Sequence, residues 1–191
     1  MNRNPIPMRI VILYLFTLLF LGISCDIFAK KKIEQRIDSL TSILEKTEED
    51  SARLSLLIKH IAIQRYNHPL KSIEYGNEAL VLARKLKDTI SEGEVLYSLG
   101  IAHMESNNYI LCRNYLFQAE KFYNKNKNKN ILINIYKQIA RASLRRANYK
   151  LSLEYFLRMG FVSEIQKDTT KIADSYHGIA YIYSKQNNYK K

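Results

Sequence analysis

Apolar and small residues recur at steps of three and four over most of the chain, which is the period of an α-helix with one buried stripe. Tyr109, Cys112, Leu116, Ala119 and Phe122 illustrate this spacing. Polar segments rich in Asn, Asp and Lys interrupt the stripe and are typical of turns and helix caps. The pattern predicts an all-α chain. Its helices are predicted at about 33–46, 50–65, 69–86, 90–106, 109–124, 130–146, 149–164 and 171–186.

The stripe repeats with a period of 40 residues when the segments that end in Asn-Tyr are overlaid. Positions that coincide include Leu99 with Ile139 and Ile179, and Gly100 with Ala140 and Ala180. A weaker copy lies 40 residues further upstream. Each copy holds two helices, and we expect its small residues to lie where the two helices approach closely, because a larger side chain there would overpack the contact.

These repeats resemble the tetratricopeptide repeat (TPR) family over residues 50–191. The resemblance lies in Leu99-Gly100 followed by Asn107-Asn108-Tyr109, with small residues at Cys112 and Ala119. The period exceeds the family's usual 34 or so, and Leu96, Tyr136 and Tyr176 stand where the family has Trp. The resemblance implies an α-α superhelix, a solenoid of antiparallel helix pairs, in a 40-residue variant like that of bacterial regulatory and sensor proteins.

The sequence divides into three parts: residues 1–29, an N-terminal helix within 30–48, and a repeat array over 49–191. The array holds about three and a half copies, since the fourth stops at residues 187–191, where its second helix is due. A repeat array normally ends in a polar capping helix. We therefore expect the chain to be the front part of a longer protein.

Residues 1–29 have the features of an export signal. Arg3 and Arg9 precede an uncharged apolar run over residues 10–23, which is shorter than the roughly 20 residues that span a bilayer. We expect cleavage after Ala29. Lipidation at Cys25 and an uncleaved anchor remain alternatives, the latter favoured by the lysines at 30–32. The predicted location is the periplasm, free or membrane-anchored.

The composition and the motifs of the chain exclude several classes of function. Six Gly and three Pro among 191 residues disfavour loop-rich folds. The net charge of +12 suggests a nucleic-acid partner. Much of the excess positive charge lies in Lys/Asn stretches, however, and no recognition-helix or aromatic RNA-binding motif occurs. We therefore expect no nucleic-acid partner. No metal-ligand spacing, phosphate loop or nucleophile motif is found. We expect no enzyme, cofactor or metal, an inert buried thiol at Cys112 and a packed imidazole at His103.

In the resembled family, the exposed faces of the first helices line the inner groove. Carried over to this sequence, those positions are Tyr97, Ile101 and Met104 in the second repeat, Lys137, Arg141 and Arg145 in the third, and His177, Tyr181 and Lys185 in the fourth. The third set forms a cationic stripe with four-residue spacing. Flanked by tyrosines, it would suit an acidic peptide or a terminal carboxylate, and the alternative is an ordinary solvated basic face.

Export signal, repeats and missing cap together favour the extracytoplasmic sensing segment of a larger bacterial signalling protein, of histidine kinase or transcriptional regulator type. Its partner would be a protein or peptide. A free-standing periplasmic or lipid-anchored scaffold for envelope assembly is the alternative. In the membrane-anchored alternative, the attachment would be through the N-terminus or through a part beyond residue 191.

Overall fold

The computed structural model describes residues 30–125 and 128–188, except for the side chains of residues 187 and 188. The chain divides into two compact units, Met1–Lys46 and Thr47–Lys191. In the first unit, residues 30–45 are helical and form α1, in which the Thr41 hydroxyl donates a hydrogen bond to the Ile37 carbonyl at 2.9 Å. No strand occurs among the described residues, and the prediction of an all-α fold is confirmed.

The second unit is an array of helix pairs. Its helices are α2 (Asp50–Gln64), α3 (Pro69–Lys85), α4 (Thr89–Glu105), α5 (Tyr109–Lys125), α6 (Lys129–Arg145), α7 (Tyr149–Ile165) and α8 (Thr169–Asn188). The helices α3 to α7 each have 17 residues and are separated by three-residue connections. Each 40-residue repeat therefore consists of two halves of equal length, each a helix with its connection. The sequence pattern did not reveal that the two halves are equally long.

Four three-residue connections, those between α3 and α4, α4 and α5, α6 and α7, and α7 and α8, share one geometry. Their middle residue has a φ between 53° and 60°, in the left-handed region that closes a helix C-terminus. These residues are Lys87, Asn107, Ala147 and Lys167. The Asp or Asn that follows this residue forms hydrogen bonds with the helix before it and with the helix after it. The Asn148 backbone amide donates to the Ser143 carbonyl of α6 at 2.9 Å, and the Asn148 side-chain oxygen accepts from the Leu151 amide of α7 at 3.2 Å. Asp88, Asn108 and Asp168 repeat both bonds.

Each helix of the array packs against the helices next to it in sequence. The first helices of successive pairs, α2, α4, α6 and α8, also contact one another, whereas the backbones of α3, α5 and α7 do not. The first helices therefore lie on the inner side of the superhelix. Leu99 and Ile139, which coincide in the repeat, are completely buried in this stack.

Polar side chains join the second helices α5 and α7. The Tyr155 hydroxyl donates to the Glu120 carboxylate at 2.8 Å, and Arg158 donates to the same carboxylate at 3.0 Å. Glu120 is only 8% exposed, so the two donors compensate for burying its charge. This link holds two helices whose backbones do not touch.

Small residues let the helices of a pair approach closely. A Cβ atom on Gly100 would lie 2.6 Å from the Leu116 side chain of α5. Ala140, one repeat later, is completely buried, and its carbonyl accepts a hydrogen bond from the Ser152 hydroxyl at 2.9 Å. Ala180, which we expected to be packed in the same way, is exposed, because no described helix follows α8 to cover it.

Replacing Ala140 and Ala180 by the larger leucine tests how closely the helices pack at these two positions. We expect Ala140→Leu to lower the free energy of unfolding by about 1–3 kcal/mol, since the added atoms have no space between α6 and α7. Ala180→Leu, the same change one repeat later, should alter it by less than about 0.5 kcal/mol because that site is open. Urea denaturation followed by circular dichroism measures both. Equal losses in the two variants would contradict the packing of this face.

The left-handed connections give a second test. Ala147 has a φ of 53°, which costs an alanine about 1 kcal/mol and a glycine almost nothing. Ala147→Gly should therefore raise the melting temperature. Ala173→Gly, the same change at an exposed position inside α8, should lower it, since glycine costs about 0.5–1 kcal/mol in a helix. Differential scanning calorimetry that gives both changes the same sign would show the connection to be wrongly described.

Candidate functional site

A groove of about 570 Å³ lies between α6, α7 and α8. The inner helices α6 and α8 form its two sides, and the start and middle of α7 complete it. The residues that line it are Lys137, Arg141, Leu144, Arg145, Tyr149, Phe156, Asp174, His177, Gly178, Tyr181 and Lys185. The groove is formed within the array, by the last three described helices.

The groove brings together most of the predicted binding residues. Lys137, Arg141 and Arg145 lie along α6 at four-residue spacing, and His177, Tyr181 and Lys185 lie along α8 in the same way. Since α6 and α8 are successive first helices that contact each other, the two rows line one groove. Whether this groove binds a partner stays a prediction.

The residues predicted in the second repeat are not part of this groove. Ile101 and Met104 are 1% and 7% exposed, so their assignment to an open face is wrong. Both side chains are apolar and pack among the helices around α4, whereas Arg141, one repeat after Ile101, is charged and stays exposed although α6 has the same arrangement of neighbours. Tyr97 is half-buried, with the Arg65 guanidinium 5.9 Å from its ring centre, and burial raises the pKa of its hydroxyl.

An ion pair spans the groove at one end. The Lys137 ammonium donates to the Asp174 carboxylate of α8 at 2.6 Å. This hydrogen bond is the main reason that the pKa of Asp174 lies below its ordinary value, and the nearby Lys171 and His177 act in the same direction. The positive charge of Lys137 is thus already neutralised, so the cationic stripe has two available members rather than three.

Arg141 and Arg145 are both exposed, and neither forms an ion pair with a described residue. Across from them, the Lys185 ammonium lies 5.4 Å from the centre of the Tyr181 ring, within the range of a cation–π contact. These three cations make one stretch of the groove strongly positive.

The apolar part of the groove depends on Gly178. A Cβ atom there would lie 2.5 Å from the ring of Phe156, so only glycine allows this close contact between α7 and α8. Phe156 is 5% exposed and lines the groove together with Leu144, Tyr149 and Tyr181. The site therefore combines cationic groups with an aromatic surface.

Sequence reasoning missed Asp174, Tyr149, Phe156, Leu144 and Gly178. Asp174 could have been found, since it lies three residues before His177 and so extends the same helical row by one turn. The residues of α7 could not, because the family resemblance points to first helices only. Their position depends on how α7 packs against both neighbours.

The single cysteine of the array and one histidine occupy packing positions, as expected. Cys112 is completely buried, and this burial raises the pKa of its thiol to about 12, so it is not a reactive thiolate. His103 stacks on Tyr115 with ring centres 5.3 Å apart, and burial lowers its pKa. No metal-binding group of three His, Cys, Asp or Glu residues occurs within residues 30–125 and 128–188.

The predictions for the N-terminus concern Cys25, Ala29 and the apolar run at 10–23, which lie outside the described residues. In the part of the chain that the structure describes, no helix has the length and apolar character needed to cross a membrane.

Solved structures with the same architecture are TPR-like repeat proteins. The apo form of RapI has a TM-score of 0.70 and 15% identity, over 85% of this chain and 46% of that one. A Rap protein complexed with Competence and Sporulation Factor has a TM-score of 0.65 and 15% identity, over 85% of this chain and 47% of that one. The kinesin light chain TPR-like repeats of Podosopora anserina reach 0.69 at 12% identity, over 83% of this chain and 81% of theirs.

These likenesses define the class: the chain has the fold of a TPR-like helical-repeat protein, and the predicted resemblance is confirmed at the level of the fold. The chain spans less than half the length of each Rap protein. No family model matches it, and no curated protein matches it.

Proposed function

We propose that the chain is a protein- or peptide-binding repeat scaffold that holds an acidic segment of its partner in the groove between α6, α7 and α8. The observation that carries this proposal is the exposed pair Arg141 and Arg145, which have no carboxylate partner among the described residues. A guanidinium binds a carboxylate through two parallel hydrogen bonds, which gives affinity and orientation together. Tyr149 and Tyr181 also line the groove and offer aromatic contact.

Fold similarity supports a binding role over catalysis. A Rap protein with this fold has been solved in complex with Competence and Sporulation Factor, and the TPR-like repeats from Podosopora anserina share the fold. Fold alone does not define function, so the proposal rests on the groove chemistry. We extend to this chain only the coarse property, the binding of a protein or peptide without chemical change.

The proposed location is outside the cytoplasm, as the sensing segment of a larger bacterial signalling protein. The support is the sequence of residues 1–29, with two arginines before an apolar run and small residues after it. The second candidate is a free-standing scaffold for envelope assembly, anchored through a lipid at Cys25. It is favoured by the Leu-Gly-Ile-Ser-Cys sequence at residues 21–25, which resembles a bacterial lipoprotein box with its Leu one position further upstream than usual.

Charge reversal in the groove tests the binding role. A fluorescein-labelled hexaglutamate peptide is titrated with the protein, and binding is followed by fluorescence anisotropy. We expect Arg141→Glu/Arg145→Glu to weaken binding by at least about tenfold, because it replaces attraction by repulsion at the site. Binding to the wild type should also weaken steeply as salt is added.

The matched control reverses two exposed lysines outside the groove, as Lys121→Glu/Lys125→Glu on α5. This variant has the same net charge as the groove variant, so it isolates position from total charge. We expect its affinity for the peptide to stay within about threefold of the wild type. Equal weakening in both variants would mean that binding follows net charge alone, and the groove proposal would fail.

The mature N-terminus separates the two candidate locations. After expression of the native chain in a bacterium, we expect intact-mass spectrometry to show cleavage after Ala29, so that the chain begins at Lys30. An acylated Cys25 at the N-terminus would support the anchored scaffold instead. A chain that keeps residues 1–29 and fractionates with the cytoplasm would contradict both.

A further inference from the structure

The charge along the groove changes from one end to the other. Along α6 the side chains run Lys137, Arg141, Arg145, and along α8 they run Asp174, His177, Tyr181, Lys185, one helical turn apart. Because Lys137 and Asp174 lie together at one end, that end is electrically neutral. Arg145 and Lys185 belong to the last turns of α6 and α8, so the opposite end is cationic.

Asp174 forms with Lys137 the ion pair that an acidic ligand would otherwise form. Its Oδ2 accepts the hydrogen bond from Nζ at 2.6 Å, and the two side chains are 38% and 31% exposed, so solvent and ligands can reach them. An external carboxylate that bound Lys137 would have to displace this partner. Arg141 and Arg145 impose no such competition.

We infer, on the basis of the proposed function, that Asp174 is the specificity-determining residue of the groove: it blocks Lys137 to acidic groups and directs the acidic end of a bound peptide toward Arg145 and Lys185. A ligand that fits this arrangement is a peptide with its acidic residues at one end and an aromatic or apolar residue in the middle. The apolar residue would contact Leu144 and the rings of Tyr149 and Tyr181, which also line the groove.

The neighbouring interval of the array cannot provide the same site. One repeat upstream, the positions of Arg141 and Arg145 are held by Ile101, which is buried, and Glu105, which is exposed and would repel a carboxylate. The α4–α6 interval thus has no corresponding cationic end. A single acidic segment, rather than a long acidic tract, is the partner that matches it.

The inference is tested by removing the charge of Asp174 alone. With the fluorescein-labelled hexaglutamate peptide, we expect Asp174→Asn to bind roughly threefold to tenfold more tightly than the wild type, because Lys137 becomes available and a repulsive carboxylate is lost. The double variant Lys137→Gln/Asp174→Asn removes both charges of the pair, and its affinity should stay within about twofold of the wild type. Thermal melting of each variant by circular dichroism verifies that the array is folded.

A second variant tests whether the ligand uses the cationic end. Arg145→Gln should weaken the binding of both the wild type and Asp174→Asn, since both use the cationic end, but by less than Arg141→Glu/Arg145→Glu. If Asp174→Asn binds no more tightly than the wild type, Asp174 does not compete with the ligand and the inference is overturned, while the proposed groove stands as long as Arg141→Glu/Arg145→Glu loses affinity. If neither the wild type nor Asp174→Asn binds the peptide, the proposed function fails together with the inference.

Discussion

Burial of each helix's apolar stripe against the helices next to it in the chain is the interaction on which this array depends. No helix of the second unit can cover its own stripe, and Leu99 and Ile139 are fully buried only because neighbours on both sides enclose them. The close approach at Gly100 and Ala140 brings these helices near enough for that enclosure. Stability in such an array is local, as a sum of contacts between adjacent units.

Much of the fold could be predicted because its determinants are local in sequence. The helical stripes predicted every helix of the array within two residues of its observed bounds. This is because capping residues such as Asp88 and Asn148 form hydrogen bonds with backbone amides only a few residues away in sequence. The left-handed residue in four of the connections was not predicted. Lys87 and Ala147 have no conformational preference for it, and the backbone bonds that enforce it become visible only in three dimensions.

The groove was only partly predictable for a related reason. The row formed by Lys137, Arg141 and Arg145 follows from helical spacing alone, but its ionic state depends on Asp174, which belongs to another helix. The exposure of Ile101 and Met104 was misjudged because a family's position describes a helix face and not the residues that cover it. Identical positions in successive repeats thus have different environments, and this variation distinguishes one interval of the array from the next.

The contact between α5 and α7 has a mechanical consequence. Along the inner side, successive first helices approach one another closely, whereas along the outer side α5 and α7 are joined by the side chains of Glu120, Tyr155 and Arg158 and by the ring contact of Phe117 with Tyr155. Bending that opens the outer side would strain these side-chain contacts before it separated the first helices. We therefore expect the array to be more compliant on its convex side than on its concave side.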